Sequence, residues 1–507
     1  MNLTMLLDMV VEGMPDRILI GDRTDGLTAR ELARRARSGA DLVRAAGAGT
    51  VVYLGGNGPA FPVALFAAAC VGVPFLPVNY RLSDEQLDDI LGRQARPLVI
   101  TDSPERVRGM AAVTLEEFTG PTAVAADHET EPADPDPDSI AVLLMTSGTT
   151  AAPKSAVLRH RHLTSYIFGS VEFASAERSD ATIVSVPPYH IAAVANLLSN
   201  LYAGRRIVYL DHFSAADWLH SVRTQAVTHA MVVPTMLVRI VSELVHSGVR
   251  GPSTLRSMSY GGAKIAVPVL VEALRLFPGT GFVNAYGLTE TASSIAVLGP
   301  DDHRTAAASD DPTVRARLGS VGRALPSVEI EVHDPDGLPC PPGVVGDIVV
   351  RGPQVAGEYL EAGSRLDSAG WFPTRDRGHI DEDGFIFVEG RSDDTIIRGG
   401  ENIAPSEIES VLTEHEWVAD VAVAGIPDDE WGQRIGAFVV VKPGVRPDAD
   451  VLREFVRGRL RSSKTPDDIV FLPELPTTPT GKVLRRKLVA DIDKDAGAPE
   501  ATRTPVL

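Results

Sequence analysis

The sequence predicts an α/β fold that ends in a small α+β domain. Three observations carry this. Short buried-type strand segments alternate with amphipathic helical stretches over most of the chain, the pattern of sheets layered with helices. At 507 residues the chain is longer than one hydrophobic core can serve. From about residue 394 the segments shorten into a pattern of its own, spanning roughly a hundred residues, the size of a separate domain.

The elements follow in order. Residues 1–17 carry apolar positions broken by Asp8 and Glu12 with no cationic lead, so they read as a helix and not a signal peptide. Val51–Leu54 and Pro97–Thr101 read as short buried strands. Between them Ser83 and Gln86 have capping-box spacing and open a helix with Leu87, Ile90 and Leu91 on one face. The apolar run Val63–Val78 contains Gly72, Pro74 and Pro77 and is too short and broken to span a bilayer. Ala126–Ser139, acidic and proline-rich, reads as a solvated loop, and Ile140–Met145 as a buried strand. Asp336-Gly337 signals a hairpin ahead of strand Gly346–Val350. Beyond residue 394 come a helix expected to be capped by Ser406 with Glu409, strands Val421–Val423 and Ala437–Val441, and a helix from about Asp450 to Leu460. The last stretch, from Asp491, has no apolar pattern and is expected to be disordered.

Composition excludes several function classes. Hydrophobic residues at 44% and charged residues at 23% are ordinary for a globular protein. A formal net charge of −19 repels phosphate backbones and anionic lipid, which argues against nucleic-acid and membrane partners. Two cysteines, Cys70 and Cys340, stand in no metal or redox spacing, as expected of a cytoplasmic protein.

Four segments carry chemistry. The strand ending at Met145 runs into Thr146-Ser147-Gly148-Thr149-Thr150-Ala151-Ala152-Pro153-Lys154-Ser155. Small residues let backbone N–H groups approach phosphate oxygens, hydroxyls add donors, and one Lys supplies a charge. A plain polar turn is the competing reading. The nucleoside-triphosphatase loop is not, because Pro153 stands where that loop needs a glycine. The second segment is Asn284-Ala285-Tyr286-Gly287-Leu288-Thr289-Glu290, in which a ring could stack on a base while a hydroxyl and a carboxylate reach phosphate and a hard cation. By itself it is equally a strand end. The third runs from Thr374-Arg375-Asp376 through Arg391-Ser392-Asp393 to Gly399-Gly400-Glu401; a solvated Asp is the alternative for Asp376. The fourth, Pro476 to Lys482, is a rigid loop presenting one lysine, which in isolation reads as a surface charge.

In this order and at these separations the segments resemble the adenylate-forming superfamily of acyl- and aryl-CoA synthetases, peptide-synthetase adenylation domains and luciferases. The resemblance covers about residues 15–490, and GGENIAPSEIE looks most like the acyl-CoA synthetase branch. It implies a large N-terminal domain of several sheets (residues 1–391), a small mobile C-terminal domain (392–490) and a tail (491–507). It further implies ATP or an acyl-adenylate, Mg²⁺ and coenzyme A as ligands.

The resemblance also assigns residues. Thr146, Ser147, Gly148, Thr149, Thr150 and Lys154 would grip the β- and γ-phosphates. Tyr286 would stack on adenine, with Asn284 at its polar edge and Ala285 and Gly287 beside it. Thr289 would contact the α-phosphate and Glu290 would hold Mg²⁺. Gly261, Gly262 and Ala263 would line the nucleotide and acyl pocket, Asp376 would bind the ribose hydroxyls, and Arg391 would lie near ribose and phosphate. His190 would sit beside the substrate carboxylate, although a histidine after two prolines is otherwise a structural turn residue. Asp393 would be the hinge, Gly399, Gly400 and Glu401 would shape the coenzyme A tunnel, and Lys482 would bridge carboxylate and α-phosphate. The acyl pocket would draw on Tyr189, Ala193, Val233 and Tyr260, where small residues leave room for a bulky apolar acid.

The implied reaction is adenylation of a carboxylic acid, then transfer to the thiol of coenzyme A as the small domain swings about Asp393. The chain departs from the family pattern at Ala151, Ser155 and Arg375, each standing where glycine is usual, and the hydroxyl of Ser155 is expected to compensate at the phosphate. Those departures keep two alternatives in view. One is a single half-reaction, served by a separate adenylating enzyme or a carrier protein. The other is a nucleotide-binding protein without catalysis.

Overall fold

A computed structural model describes residues 1–120, 134–146, 154–398, 401–428, 431–478 and 483–496. The chain divides into two compact units, one of residues 1–330 and 349–373, the other of residues 331–348 and 374–507.

The first unit contains two large sheets. One has β1 (Thr50–Tyr53), β2 (Phe75–Pro77), β3 (Pro97–Ile100), β4 (Ile140–Thr146) and β5 (Lys154–Arg159) in the order β5-β4-β2-β1-β3, with short strands at both edges. β1, β2 and β3 run parallel, and β5 returns antiparallel to β4. The long apolar run resolves into helix Ala60–Val71, ended by Gly72 at φ +79°, and then β2. The Ser83–Gln86 capping box forms, and helix Asp84–Gly92 buries Leu87, Ile90 and Leu91. Residues 1–17 supply helix Leu3–Gly13, capped by Asn2.

The second sheet holds β6 (Ala181–Val184), β7 (Arg206–Tyr209), β8 (His229–Val232), β9 (Ser257–Gly261), β10 (Gly281–Leu288) and β11 (Ser293–Leu298) in the order β11-β10-β9-β8-β6-β7. The strands from β7 across to β10 are parallel, and β11 is antiparallel to β10. β6 is buried along its whole length, as befits a strand covered on both faces. The strand β12 (Glu358–Tyr359) pairs with β5 through Tyr359 and Ala156.

The second unit contains most of β13 (Phe372–Ile380), then β14 (Ile386–Arg391), β15 (Val418–Asp428), β16 (Gly432–Val441) and β17 (Asp468–Leu472). The hairpin at Asp336-Gly337 forms, with Gly337 at φ +80° and a bridge between His333 and Pro339. Ile396, Ile403, Ile408, Leu412, Val423, Ile435, Val439, Leu452 and Val456 make a core of their own.

One expected cap is absent. Helix Pro405–Thr413 starts with proline at its first position and Ala404 as its cap. Ser406 therefore lies inside the helix and donates to the Glu389 carbonyl, while Glu409 accepts from the Val423 amide and Arg485. The last helix, Arg485–Ala496, continues past Asp491, where the sequence pattern had pointed to disorder. Among the described residues no helix is long and apolar enough to cross a membrane.

Candidate active site

β6, β8, β9 and β10 are parallel neighbours, and the expected residues of the first unit outside the 146–154 segment lie at or beyond their carboxyl ends. Tyr189, His190 and Ala193 follow β6, Val233 follows β8, and Gly262 and Ala263 follow β9. Asn284 to Gly287 end β10, with Thr289 and Glu290 just after it. The chain steps from β6 out to β7 and returns on the other side of β6 at β8, so the strand order reverses between β6 and β8. Open α/β sheets bind ligands in the crevice outside the carboxyl ends at such a reversal.

Pro187 opens a turn, its carbonyl accepting from the His190 amide at 3.3 Å, and His190 caps helix Ile191–Ala203 without a side-chain bond. The rings of Tyr189 and His190 lie 4.7 Å apart, and Tyr80 packs edge-on to Tyr189 at 5.9 Å. The Tyr189 hydroxyl and His190 Nε2 are buried with no hydrogen-bond partner among the described residues. Buried polar atoms are nearly always paired, so these two fit a polar ligand group. Burial lowers the His190 pKa to about 4 and raises the Tyr189 phenol to about 12. Near neutral pH both groups are therefore uncharged and can hydrogen-bond a polar ligand.

Close approach explains the glycines. A Cβ on Gly261 would stand 2.2 Å from the Ala285 carbonyl oxygen, and one on Gly287 1.9 Å from that of Ser293, where the β10–β11 register slips. Gly262 is exposed at φ +88°, with nothing within 4 Å of where a side chain would be. Tyr260 is fully buried, its hydroxyl 2.8 Å from His303 Nε2. Ala193 and Val233 are buried, and Ala263 is exposed. Asn284 donates its amide to the Ser320 carbonyl at 3.0 Å, and Tyr286 packs on the cluster of Ile295, Val350 and Phe372.

Thr289 and Glu290 occupy the single turn Thr289–Thr291. The next two residues, Ala292 at φ +54° and Ser293 at φ +124°, are in backbone regions that cost strain for residues with a side chain. Gln354, wholly buried, stitches this bend by donating to the carbonyls of Thr291 and Ser294. The carboxylate of Glu290 is nearly buried and accepts from the Tyr359 hydroxyl at 2.5 Å. One carboxylate is a sufficient protein ligand for Mg²⁺ carried on substrate phosphates.

Thr146 and Lys154 pair at the ends of β4 and β5, with the Thr146 hydroxyl donating to the Lys154 carbonyl at 3.2 Å. Ser147, Gly148, Thr149, Thr150 and Ala151 lie outside the described residues. Ser155 corrects an expectation. It is buried, and its amide and hydroxyl both donate to the Glu361 carboxylate, at 2.9 and 2.8 Å. That hydroxyl is committed to Glu361 and does not compensate at a phosphate.

In the second unit Asp376 and Arg391 face each other across β13 and β14, with Arg391 Nη1 3.1 Å from Asp376 Oδ1. The Asp376 amide donates to the Thr374 hydroxyl, which in turn donates to the Ile348 carbonyl. Asp393 lies in the turn Ser392–Asp394 directly after Arg391. Arg375 is in the left-handed region at φ +62°, which accounts for glycine being usual there. Glu401 pairs with Arg398 in a two-stranded ribbon, while Gly399 and Gly400 lie outside the described residues. Lys482 lies outside them too; Thr477 and Val483 on either side form an antiparallel bridge.

Sequence reasoning missed Tyr359, Gln354 and Glu361. The bonds they make here reach partners 60 to 206 positions distant, and no local pattern marks them.

The chain matches the AMP-binding enzyme family over residues 7–360 and the AMP-binding enzyme C-terminal domain over residues 407–482. It is 35% identical to a feruloyl-CoA synthase of Amycolatopsis sp over 90% of this chain and 92% of that one. It is 32% identical to the fatty acid–[acyl-carrier-protein] ligase ScoC of Streptomyces coeruleorubidus over 91% of each. Its fold matches that of o-succinylbenzoate CoA synthetase of Bacillus subtilis bound to an acyl-adenylate intermediate. That match has a TM-score of 0.83 at 29% identity and covers 95% of this chain and 97% of that one.

Proposed function

The chain belongs to the AMP-binding enzyme family, and from that premise we propose that it is an acyl-CoA ligase using ATP, Mg²⁺ and coenzyme A. The observation that carries this reading is the gathering of Tyr189, His190, Gly262, Tyr286 and Glu290 at the strand ends around the β6/β8 reversal. Two orphaned polar groups lie among them. The two unpaired cysteines suit a cytoplasmic setting.

In the first step a carboxylate oxygen bonds to the α-phosphorus of ATP, and the bond to the bridging oxygen breaks to release pyrophosphate. Positioning and charge neutralisation supply most of the acceleration in phosphoryl chemistry of this kind. Glu290 would hold Mg²⁺, which neutralises phosphate charge, and Lys154 and Lys482 add cations. Neutral His190 donates an N–H to the substrate carboxylate without pairing off its charge. In the second unit Asp376, oriented by Arg391, would take the ribose hydroxyls. In the second step a thiol sulfur attacks the acyl carbon, the bond to the AMP oxygen breaks, and the thiol proton passes to solvent. Asp393 is the proposed hinge, and Gly399 to Glu401 the proposed coenzyme A face.

A carrier-protein thiol is the second reading, favoured by the similarity to a fatty acid–[acyl-carrier-protein] ligase. A panel of carboxylic acids with acyl-AMP and acyl-CoA measured separately tests the proposal. Acid-dependent acyl-AMP that coenzyme A converts to acyl-CoA supports it; thioester on a carrier protein alone favours the second reading.

A further inference from the structure

Residues 356–361 tie together the two groups proposed to meet the triphosphate and its metal. The amides of Ala356 and Gly357 both donate to the Glu290 carbonyl, at 2.8 and 3.1 Å. Tyr359 pairs with Ala156 on β5, the Leu360 amide donates to the Ser155 carbonyl, and the Glu361 carboxylate takes both donors of Ser155. Within this stitch Tyr359 touches both charged side chains. Its hydroxyl donates to Glu290 Oε1 at 2.5 Å, and Lys154 Nζ lies 5.7 Å from its ring centre.

We propose that Tyr359 is a positioning residue for adenylation, aiming the Glu290 carboxylate with its hydroxyl and holding Lys154 on its ring face. This rests on the acyl-CoA ligase reading and adds to it a residue outside the motifs that gave that reading. A bond from a phenol to a carboxylate is charge-assisted and directional. An ammonium within about 6 Å of an aromatic centre is drawn to the ring's negative face. One side chain thus gives the anion a donor and the cation a π surface. Without the phenol the carboxylate loses its donor, and without the ring the ammonium loses its seat, so neither is held ready for the metal ion or the phosphate.

The test compares Tyr359→Phe and Tyr359→Leu with the parent in acid-dependent ATP–pyrophosphate exchange at varied Mg²⁺. The Phe variant keeps the ring and loses the donor, so half-maximal Mg²⁺ should rise about tenfold, the scale of one charge-assisted bond. The Leu variant loses the ring as well, so KM for ATP should rise several-fold further. Thioester formation from supplied acyl-adenylate, which needs neither triphosphate nor its metal, should stay within about twofold of the parent. In a Glu290→Gln background Tyr359→Phe should add little, because its acceptor charge is gone. 4-Methylphenylalanine at 359 fills the space of the hydroxyl without donating, so it should raise half-maximal Mg²⁺ as Tyr359→Phe does, and it carries the test if the Phe protein does not fold. Parental Mg²⁺ dependence in either variant overturns the inference alone. A parent that shows no acid-dependent exchange overturns the ligase reading instead.

Discussion

Arg375, in the left-handed backbone region at φ +62°, has its guanidinium 3.7 Å from the carboxylate of Asp393. One residue thus combines backbone strain next to Asp376 with an ion pair to the proposed hinge. Left-handed backbone costs a residue with a side chain about 1–2 kcal/mol. The pair, half exposed on both sides, returns less than about 1 kcal/mol. Arg375→Gly should therefore leave thermal stability unchanged or slightly raised. Arg375→Ala keeps the strain and loses the pair, so it should unfold about 1 kcal/mol more easily than the Gly variant. Denaturant melts of the three proteins check the order. If thioester formation also quickens in Arg375→Gly, the pair restrains Asp393.

Ser155 and Glu361 give the opposite result from what a glycine at 155 would lead one to expect. Replacing Ser155 by Gly removes a hydroxyl bonded to Glu361, at the exit of the phosphate segment. Pyrophosphate exchange should fall in Ser155→Gly, and Glu361→Ala should fall with it, each by several-fold. The double variant should be little worse than Glu361→Ala, which already loses the hydroxyl bond along with the amide bond. Exchange faster than the parent's in Ser155→Gly would show that the clamp hinders the loop.

Buried histidines set a pH dependence of stability. Burial holds His160, His162, His190 and His229 at pKa values of about 4, against 6.5 for the free side chain. Between those values the unfolded chain binds protons that the folded chain does not, so stability falls as pH drops from 6.5 toward 4. A shift of that size is worth on the order of 3 kcal/mol for a fully buried histidine such as His160. Melting temperature against pH should decline through this window, and His160→Gln should decline less steeply.

Much of this was legible in the sequence, for identifiable reasons. Ser83 with Gln86 and Asp336 with Gly337 are local devices, and both formed where their spacing placed them. Ser406 with Glu409 had the same local signature and failed, because the helix starts at Pro405, two residues before a Ser406 cap would start it, and both side chains found partners in other elements. The carboxyl-end residues were readable because glycine, tyrosine and glutamate cluster within short strings. Tyr359, Gln354 and Glu361 were not, since Glu361 meets Ser155 across 206 positions and strand pairing alone brings them together.

Lys482 is proposed to act in the first step only. Lys482→Ala should slow adenylation by about 10²–10³, the scale of one lost transition-state donor. Thioester formation from supplied acyl-adenylate should remain near the parent's rate. Equal loss in both half-reactions would give Lys482 a structural role.

The most direct test of the account follows both products of one reaction by mass spectrometry. The protein is incubated with ATP, Mg²⁺ and a panel of carboxylic acids, with and without coenzyme A. The account predicts that at least one acid gives acyl-AMP without coenzyme A, and that adding coenzyme A converts it to acyl-CoA with release of AMP. Acyl-AMP that persists unchanged in the presence of coenzyme A, or acyl-CoA formed only from adenylate supplied ready-made, would contradict it.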